Sequence, residues 1–289
     1  FEVFADMDKV ALSLLRGVCQ LPGYVATAKG FFREVGIDVR AAVEPTATVV
    51  PDRLIRGDVQ FAVMPWTRVA AANVRGEPLV LVCGSGCEEA AILVRTGVRT
   101  EDVKRVAVPQ RGGIKDLTAQ GLLEDLGWGG TESLRLPSGD GAILALVGQG
   151  ADAASMVEPY STMLEELQIA RVVRRAGDLW PGVPGCSLTT TREIVDGNPD
   201  LVRRTVAAFV RGARFADENP DEAAAIAAGF IGIAPRFVRA ALSRCRPNVR
   251  ALTHTAAMDG VLALMQRLGY LDRRPDSGFY DGSFLAAAT

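Results

Sequence analysis

The 289-residue chain has one histidine, His254, and lacks any Gly-x-Ser-x-Gly, Gly-x-x-x-x-Gly-Lys-Ser/Thr or His-Glu-x-x-His pattern. Those absences remove the hydrolase nucleophile elbow, the phosphate-cradling loop and the helical zinc-hydrolase pair. A lone histidine also leaves few routes to a nucleophile–base triad. Long basic runs are missing too. The 32 Lys and Arg face 34 Asp and Glu, for a net charge of -2, so the electrostatic footprint of a nucleic-acid binder is not there. The short clusters Arg171/Arg174/Arg175 and Arg273/Arg274 fit solvated faces. No apolar run reaches the ~18–20 residues of a membrane span. The nearest, 79–82 and 90–94, is interrupted by 83–89, and a soluble chain is expected. The first residue is Phe1 rather than Met, which fits either a removed leader peptide or a trimmed start.

Cysteine is scarce and unevenly placed: Cys19, Cys83, Cys87, Cys186 and Cys245. An odd, scattered set is no disulfide framework. Cys83 and Cys87 bracket Gly-Ser-Gly and allow either a tight disulfide loop or two small buried residues beside a turn. No second Cys pair stands at metal-binding spacing and His254 is remote, so no metal site is expected. What is present is globular: 48% hydrophobic and 23% charged residues, enough for one large domain or two lobes.

Strand-like and helix-like segments alternate, which argues for an α/β fold. Strands are expected at 10–15, 37–43, 59–63, 79–82 and 90–94. Helices are expected at 24–35, 49–56 and 66–73, each stopped by a glycine (Gly36, Gly57, Gly76). A second unit repeats the theme, with strands at 106–108, 133–136, 153–157 and 170–173 and helices at 115–126, 141–147 and 162–167. From Arg192 onward the chain is mostly helical, over 200–219, 221–229, 235–245 and 255–268. Asn198-Pro199 suits a helix start, and Asn219-Pro220 a break between helices.

Four segments stand out in order: Leu21-Pro-Gly-Tyr-Val-Ala-Thr-Ala-Lys-Gly-Phe-Phe-Arg-Glu-Val-Gly-Ile-Asp-Val39, Arg53-Leu-Ile-Arg-Gly-Asp-Val-Gln-Phe-Ala-Val63, Val106-Ala-Val-Pro-Gln-Arg-Gly-Gly113, and Ala145-Leu-Val-Gly-Gln-Gly-Ala-Asp-Ala-Ala154 followed by Glu158-Pro-Tyr160. A Leu, then a Gly, then Gln or Asp before Ala recurs at 54–62 and, with small offsets, at 146–153, an echo that two similar lobes would produce. The loops after strand C-termini are where α/β sheets bind ligands. Here they hold Cys19, Gln20, Thr46, Thr48, Trp66, Thr67, Gln110, Arg111, Gly112, Gly113, Glu158 and Tyr160. Thr46, Thr48 and Thr67 stand where helices should begin, as caps or as part of an anion site, since helix starts offer free N–H groups. Gly112 and Gly113 permit close backbone approach, and Arg111 offers a bidentate grip on a carboxylate, sulfonate or phosphate. Tyr24, Trp66, Tyr160 and Trp180 suggest a flat or partly apolar ligand.

Over roughly 22–219, the ordered set resembles the SsuA/NMT1-like substrate-binding proteins of ABC transporters. The resemblance implies a two-lobed type II periplasmic-binding-protein fold, with residues 1–91 plus 189–289 in one lobe and 92–188 in the other. It implies a ligand cleft between lobes that closes by hinge motion, with the twelve loop residues above as its lining. It further implies a monomeric component of an importer for a sulfonate, nitrate or pyrimidine-precursor type of solute. Permease subunits would be its partners, it would need no cofactor and no catalytic residue, and its place would be periplasmic or, as a lipoprotein, on the cell surface. Some relatives are enzymes, among them desulfinases with a cysteine just after the first strand, where Cys19 stands. No His or Arg partner for Cys19 is evident, and an activated thiol needs one. The pyrimidine-synthase relatives carry a histidine- and cysteine-rich motif that is absent here. A ligand-sensing domain of a larger receptor is the third reading.

Overall fold

The structure is a computed structural model that describes residues 7–136 and 139–288. The first unit runs β1 (Asp8–Leu14), α1 (Leu21–Ala28), α2 (Phe31–Glu34), β2 (Ile37–Val43), α3 (Val50–Ile55), β3 (Phe61–Pro65), α4 (Trp66–Val74) and β4 (Leu79–Gly84). The second holds β5 (Ala90–Arg95), β6 (Arg105–Pro109), α5 (Ile114–Asp125), β7 (Glu132–Leu136), α6 (Gly139–Val147), β8 (Ala153–Val157), α7 (Tyr160–Glu166), β9 (Ala170–Arg175) and α8 (Ala176–Leu179). The chain then returns through β10 (Cys186–Thr191) to α9 (Arg192–Gly197), α10 (Pro199–Glu218), α11 (Pro220–Ile231), α12 (Pro235–Ala241), α13 (Thr255–Arg267) and α14 (Ser283–Ala288).

Two five-stranded sheets result, in the orders β2-β1-β3-β10-β4 and β7-β6-β8-β5-β9. The orders are equivalent. In each, three strands are parallel and the fourth, β10 or β5, runs antiparallel to both its neighbours. Those two antiparallel strands are the ones that carry the chain into a sheet from the other unit, at residues 85–89 and 176–185. The expected division at 91/92 and 188/189 falls inside β5 and β10. The C-terminal helices divide between the units: α10, α11 and α14 pack on the first, while α12 packs on α7 and α13 on α5.

Local chemistry accounts for most element ends. Gly36, Gly57, Gly76 and Gly127 all adopt positive φ where a helix has to stop, a backbone region glycine enters without steric cost. Gly30, also at positive φ, splits the helix expected at 24–35 into α1 and α2. Asn198 caps α10, its Oδ1 accepting from Leu201 N at 3.1 Å. The strand β10 was not expected from the sequence. Its Cys-Ser-Leu-Thr-Thr-Thr run is buried throughout, because it lies between β3 and β4, and its hydroxyls find partners there: Thr190 Oγ1 donates to Gln60 O at 2.8 Å. Among the described residues no single helix is long and apolar enough to cross a membrane.

Candidate functional site

A cavity of about 130 Å³ opens between the two sheets. An enclosed volume near 150 Å³ holds a benzene-sized molecule, so the space suits a small ligand. Its walls come from the C-terminal ends of the parallel strands of both units and from the two crossings. Leu15, Arg16, Cys19 and Gln20 follow β1, while Glu44 to Thr48 follow β2. Pro65 and Arg68 come from the β3–α4 junction, and Glu89 and Cys186 from the crossings. The second unit adds Val108 to Gln110, Gly113 to Lys115, Asp140, Ser155 to Val157 and Tyr160.

Seven of the twelve loop residues named from the sequence line this cavity: Cys19, Gln20, Thr46, Thr48, Gln110, Gly113 and Tyr160. The other five stand elsewhere. Trp66 is fully buried in the core, its Nε1 donating to Pro184 O at 2.9 Å. Thr67 is buried and donates to Gly112 O at 3.4 Å. Arg111 is exposed, and its carbonyl accepts from Arg68. Glu158 is buried, where it accepts from Thr162 N at 3.0 Å and pairs with Arg175 at 3.1 Å. The threonines are not helix caps: Val49 and Pro65 hold those positions without a side-chain bond. Thr46 and Thr48 instead bond to each other at 3.2 Å.

The lining residues that sequence reasoning missed include every charged one: Arg16, Glu44, Arg68, Glu89, Lys115 and Asp140. Arg16 pairs with Asp140 at 3.2 Å, both half exposed, across the mouth of the cleft. Glu44 accepts from Ser13 at 2.9 Å and is paired with Arg53, so its charge is matched within the first unit. Arg68 and Lys115 are different. Neither has a salt-bridge partner among the described residues, and the buried Nε of Arg68 has no hydrogen-bond partner. Burial pulls the Arg68 guanidinium below its ordinary range, the mark of a cation facing a low-dielectric space. Both sit in the first turns of helices that follow sheet strands, a placement that helix periodicity could have suggested.

At the floor lie Cys19, Glu89 and Cys186. Burial pushes the Cys19 thiol well up, with Cys186 and Glu89 adding to the rise. Burial also raises the Glu89 carboxyl, against hydrogen bonding from Cys19 and the charge of Lys115. For Cys186 a hydrogen bond to Cys19 lowers the value, but burial and Glu89 together raise it. A thiol held up in this way is a poor nucleophile. All five cysteines are free, so Cys83 and Cys87 form no disulfide. His254 packs against Gly182, and it does not line the cavity.

A model of the NMT1-like family matches residues 5–232. No curated protein sequence matches the chain. Solved structures resemble it over nearly the whole length. One is a ligand-binding component of an ABC-type import system from Staphylococcus aureus with zinc bound, with TM-score 0.85, 13% identity and coverage of 98% of this chain and 99% of that one. Another is the alkanesulfonate-binding protein SsuA from Xanthomonas axonopodis pv. citri bound to MOPS, with TM-score 0.81, 16% identity and coverage of 96% and 99%. A third is the periplasmic nitrate-binding protein NrtA from Synechocystis, with TM-score 0.82, 14% identity and coverage of 98% and 88%. At these identities the likeness is one of fold, that of periplasmic binding proteins.

Proposed function

This chain belongs to the NMT1-like family, and we propose that it is the solute-binding component of an ABC importer, capturing a small organic anion between its two lobes without changing it chemically. One observation carries the reading. Arg68 from the first lobe and Lys115 from the second face one small cavity, and neither is ion-paired among the described residues. A cation left unmatched in a partly desolvated space is costly, and an anionic ligand offsets that cost while drawing the lobes together. The apolar walls, Val108, Pro109, Ile114, Met156 and Val157, suit a short hydrocarbon or aromatic body beside the charged group. The sulfonate and nitrate named for the fold neighbours are of that charge type. Residues 85–89 and 176–185 are the natural hinge, and 1–84 with the returning segment would form one lobe. Permease subunits are the expected partners, and the expected location is outside the cytoplasmic membrane.

The upward push on the Cys19 thiol, from burial first and then from Cys186 and Glu89, favours binding over a cysteine-dependent desulfinase. Thermal-shift measurement with small sulfonates, carboxylates and nitrate tests the reading. A saturable rise in melting temperature is expected for at least one anion, since a ligand at 100 times its Kd adds about 2.7 kcal/mol. Arg68→Ala and Lys115→Ala should each remove that rise while leaving the unliganded protein folded. Stabilisation by neutral solutes alone, or turnover of a compound, would overturn it.

A further inference from the structure

Cys19 Sγ, Cys186 Sγ and a Glu89 carboxylate oxygen lie within 4.8 Å of one another, all on buried residues. They come from three places far apart in the chain: the turn after β1, the crossing into β5, and the first residue of β10. We propose that this trio is a binding site for a thiophilic divalent cation of the zinc type, held by two cysteine sulfurs and one Glu89 oxygen, with its fourth position open to the cleft.

The spacing fits. Zinc bonds of about 2.3 Å to sulfur and about 2.1 Å to oxygen at tetrahedral angles place sulfur about 3.6 Å from oxygen and about 3.8 Å from the second sulfur. Cys186 Sγ stands 3.8 Å from Glu89 Oε1, so a metal could enter with little movement.

Independently, Glu89 is 3% exposed, and its Oε2 has no hydrogen-bond partner. An unmatched oxygen on a buried carboxylate is destabilising, and a cation at the centre of the trio would satisfy it.

The surroundings hold the three donors in place. Gln20, itself locked by Leu15 N at 3.0 Å, donates from Nε2 to Cys19 Sγ at 3.2 Å. Ser85 Oγ donates to the Cys19 carbonyl. A Cβ on Gly86 would lie 3.1 Å from Cys19 Cβ, and one on Gly185 would collide with the Glu89 carboxylate, so glycine at both positions lets the two strands of the crossing close on the cluster. Such outer contacts are what orient metal ligands. Two thiolates and a carboxylate around a dication leave one net negative charge, and Lys115, whose charge acts on both Glu89 and Cys186, lies on the same cavity wall.

The donor set selects the metal. Two thiolates disfavour magnesium and calcium, which take oxygen ligands. Three protein ligands with an open fourth position describe a site that accepts an outside ligand, as opposed to a closed structural site. The inference stands apart from anion capture, because it needs no solute.

The test is titration of the reduced, metal-stripped full chain with cobalt(II), then zinc, with no solute present. One equivalent of cobalt is expected to produce thiolate-to-cobalt charge-transfer absorption and the intense visible bands of a tetrahedral centre. Zinc should displace it and raise the melting temperature. Cys19→Ser and Cys186→Ser should each abolish the bands, and Glu89→Gln should weaken binding at least about tenfold. Cys83→Ser, outside the trio, should leave them intact. If a serine variant fails to fold by circular dichroism, the alanine variant at the same position takes its place. Absence of the bands at saturating cobalt overturns the site, as does their survival in the Cys19→Ser/Cys186→Ser double variant. Formation of a Cys19–Cys186 disulfide on mild oxidation, with no metal uptake by the reduced chain, overturns it in favour of a redox pair. Because only metal is added, failure here leaves the anion reading standing.

Discussion

The two lobes share a strand order but differ in the size of the side chains that fill them. The largest fully buried side chains, led by Trp66, Tyr24, Phe32, Phe61 and Phe209, all belong to the first sheet and the helices against it. At about 1.5–3 kcal/mol for each large apolar side chain buried, that lobe carries most of the hydrophobic stabilisation. The second lobe is built from smaller residues. Its β8 begins Ala153-Ala154, one face rests on a satellite cluster around Ile92, Val106, Leu122 and Trp128, its edge strand β7 is largely open to solvent, and α6 exposes Leu144 and Val147. One topology therefore supports an anchored lobe and a lighter one, and local opening is expected to concentrate in the lighter.

The strongest way to break that comparison is to overpack each lobe at a glycine. Gly212 of α10 lies where an added Cβ would run into the Pro22 carbonyl oxygen, a backbone atom that cannot swing aside. Gly212→Ala should cost about 3 kcal/mol or more, read by calorimetry. At Gly121 of α5 the added Cβ would sit 2.6 Å from the Trp180 ring. That ring is half-buried and can shift, so Gly121→Ala should cost about 1 kcal/mol. Equal losses would mean the lobes are equally rigid.

A second prediction sharpens the internal echo. Gln60 bonds to Ala11 through its backbone N–H, at 3.0 Å, and its side-chain Oε1, which accepts from Ala11 N at 2.8 Å. Asp152 does the same to Arg105, its N–H donating at 2.9 Å and its Oδ2 accepting from Arg105 N and Lys104 N at 3.0 Å. Replacing either by Ala should cost about 1–3 kcal/mol by leaving backbone donors unmatched. Only one of the pair is acid-sensitive. Burial works against the ionised Asp152, but the two backbone donors and the nearby Arg105 and Arg95 outweigh it and hold its carboxyl below the usual range. With the folded value below the unfolded one, about 3.9, its contribution is complete above about pH 4 and is lost as pH falls through the folded value. The stability difference between wild type and Asp152→Asn should shrink with acid over that window, while that between wild type and Gln60→Ala stays flat.

The smallest effect belongs to the pair that spans the cleft mouth. Arg16 and Asp140 are half exposed, and such pairs contribute about 0–1 kcal/mol. Arg16→Ala should leave the melting temperature within about 1–2 °C of wild type. A larger drop would show that the two lobes are held together at the mouth more firmly than at their hinge.

Much of the fold was legible because it rests on local rules. Gly36, Gly57 and Gly76 marked helix ends through their freedom at positive φ, Asn198 marked a helix start, and the Leu–Gly–Gln/Asp–Ala echo marked two related units. The strand β10 was not legible, since a Ser/Thr-rich run looks exposed until it is seen inserted between β3 and β4. The candidate site was legible only in part. Loops after strand ends pointed to Cys19, Thr46, Gln110 and Tyr160, but which way a side chain faces depends on helix phase, and that placed Trp66 in the core and Arg68 on the cavity wall.

By itself the sequence determined the α/β alternation, the pairing of two similar units and the family, because these follow from periodicity, turn chemistry and ordered motifs along one chain. Only the tertiary structure decided that Cys19, Glu89 and Cys186 meet. They are separated by 70 and 97 residues, no spacing rule connects them, and they come together because two antiparallel strands cross from one sheet to the other beside the end of β1.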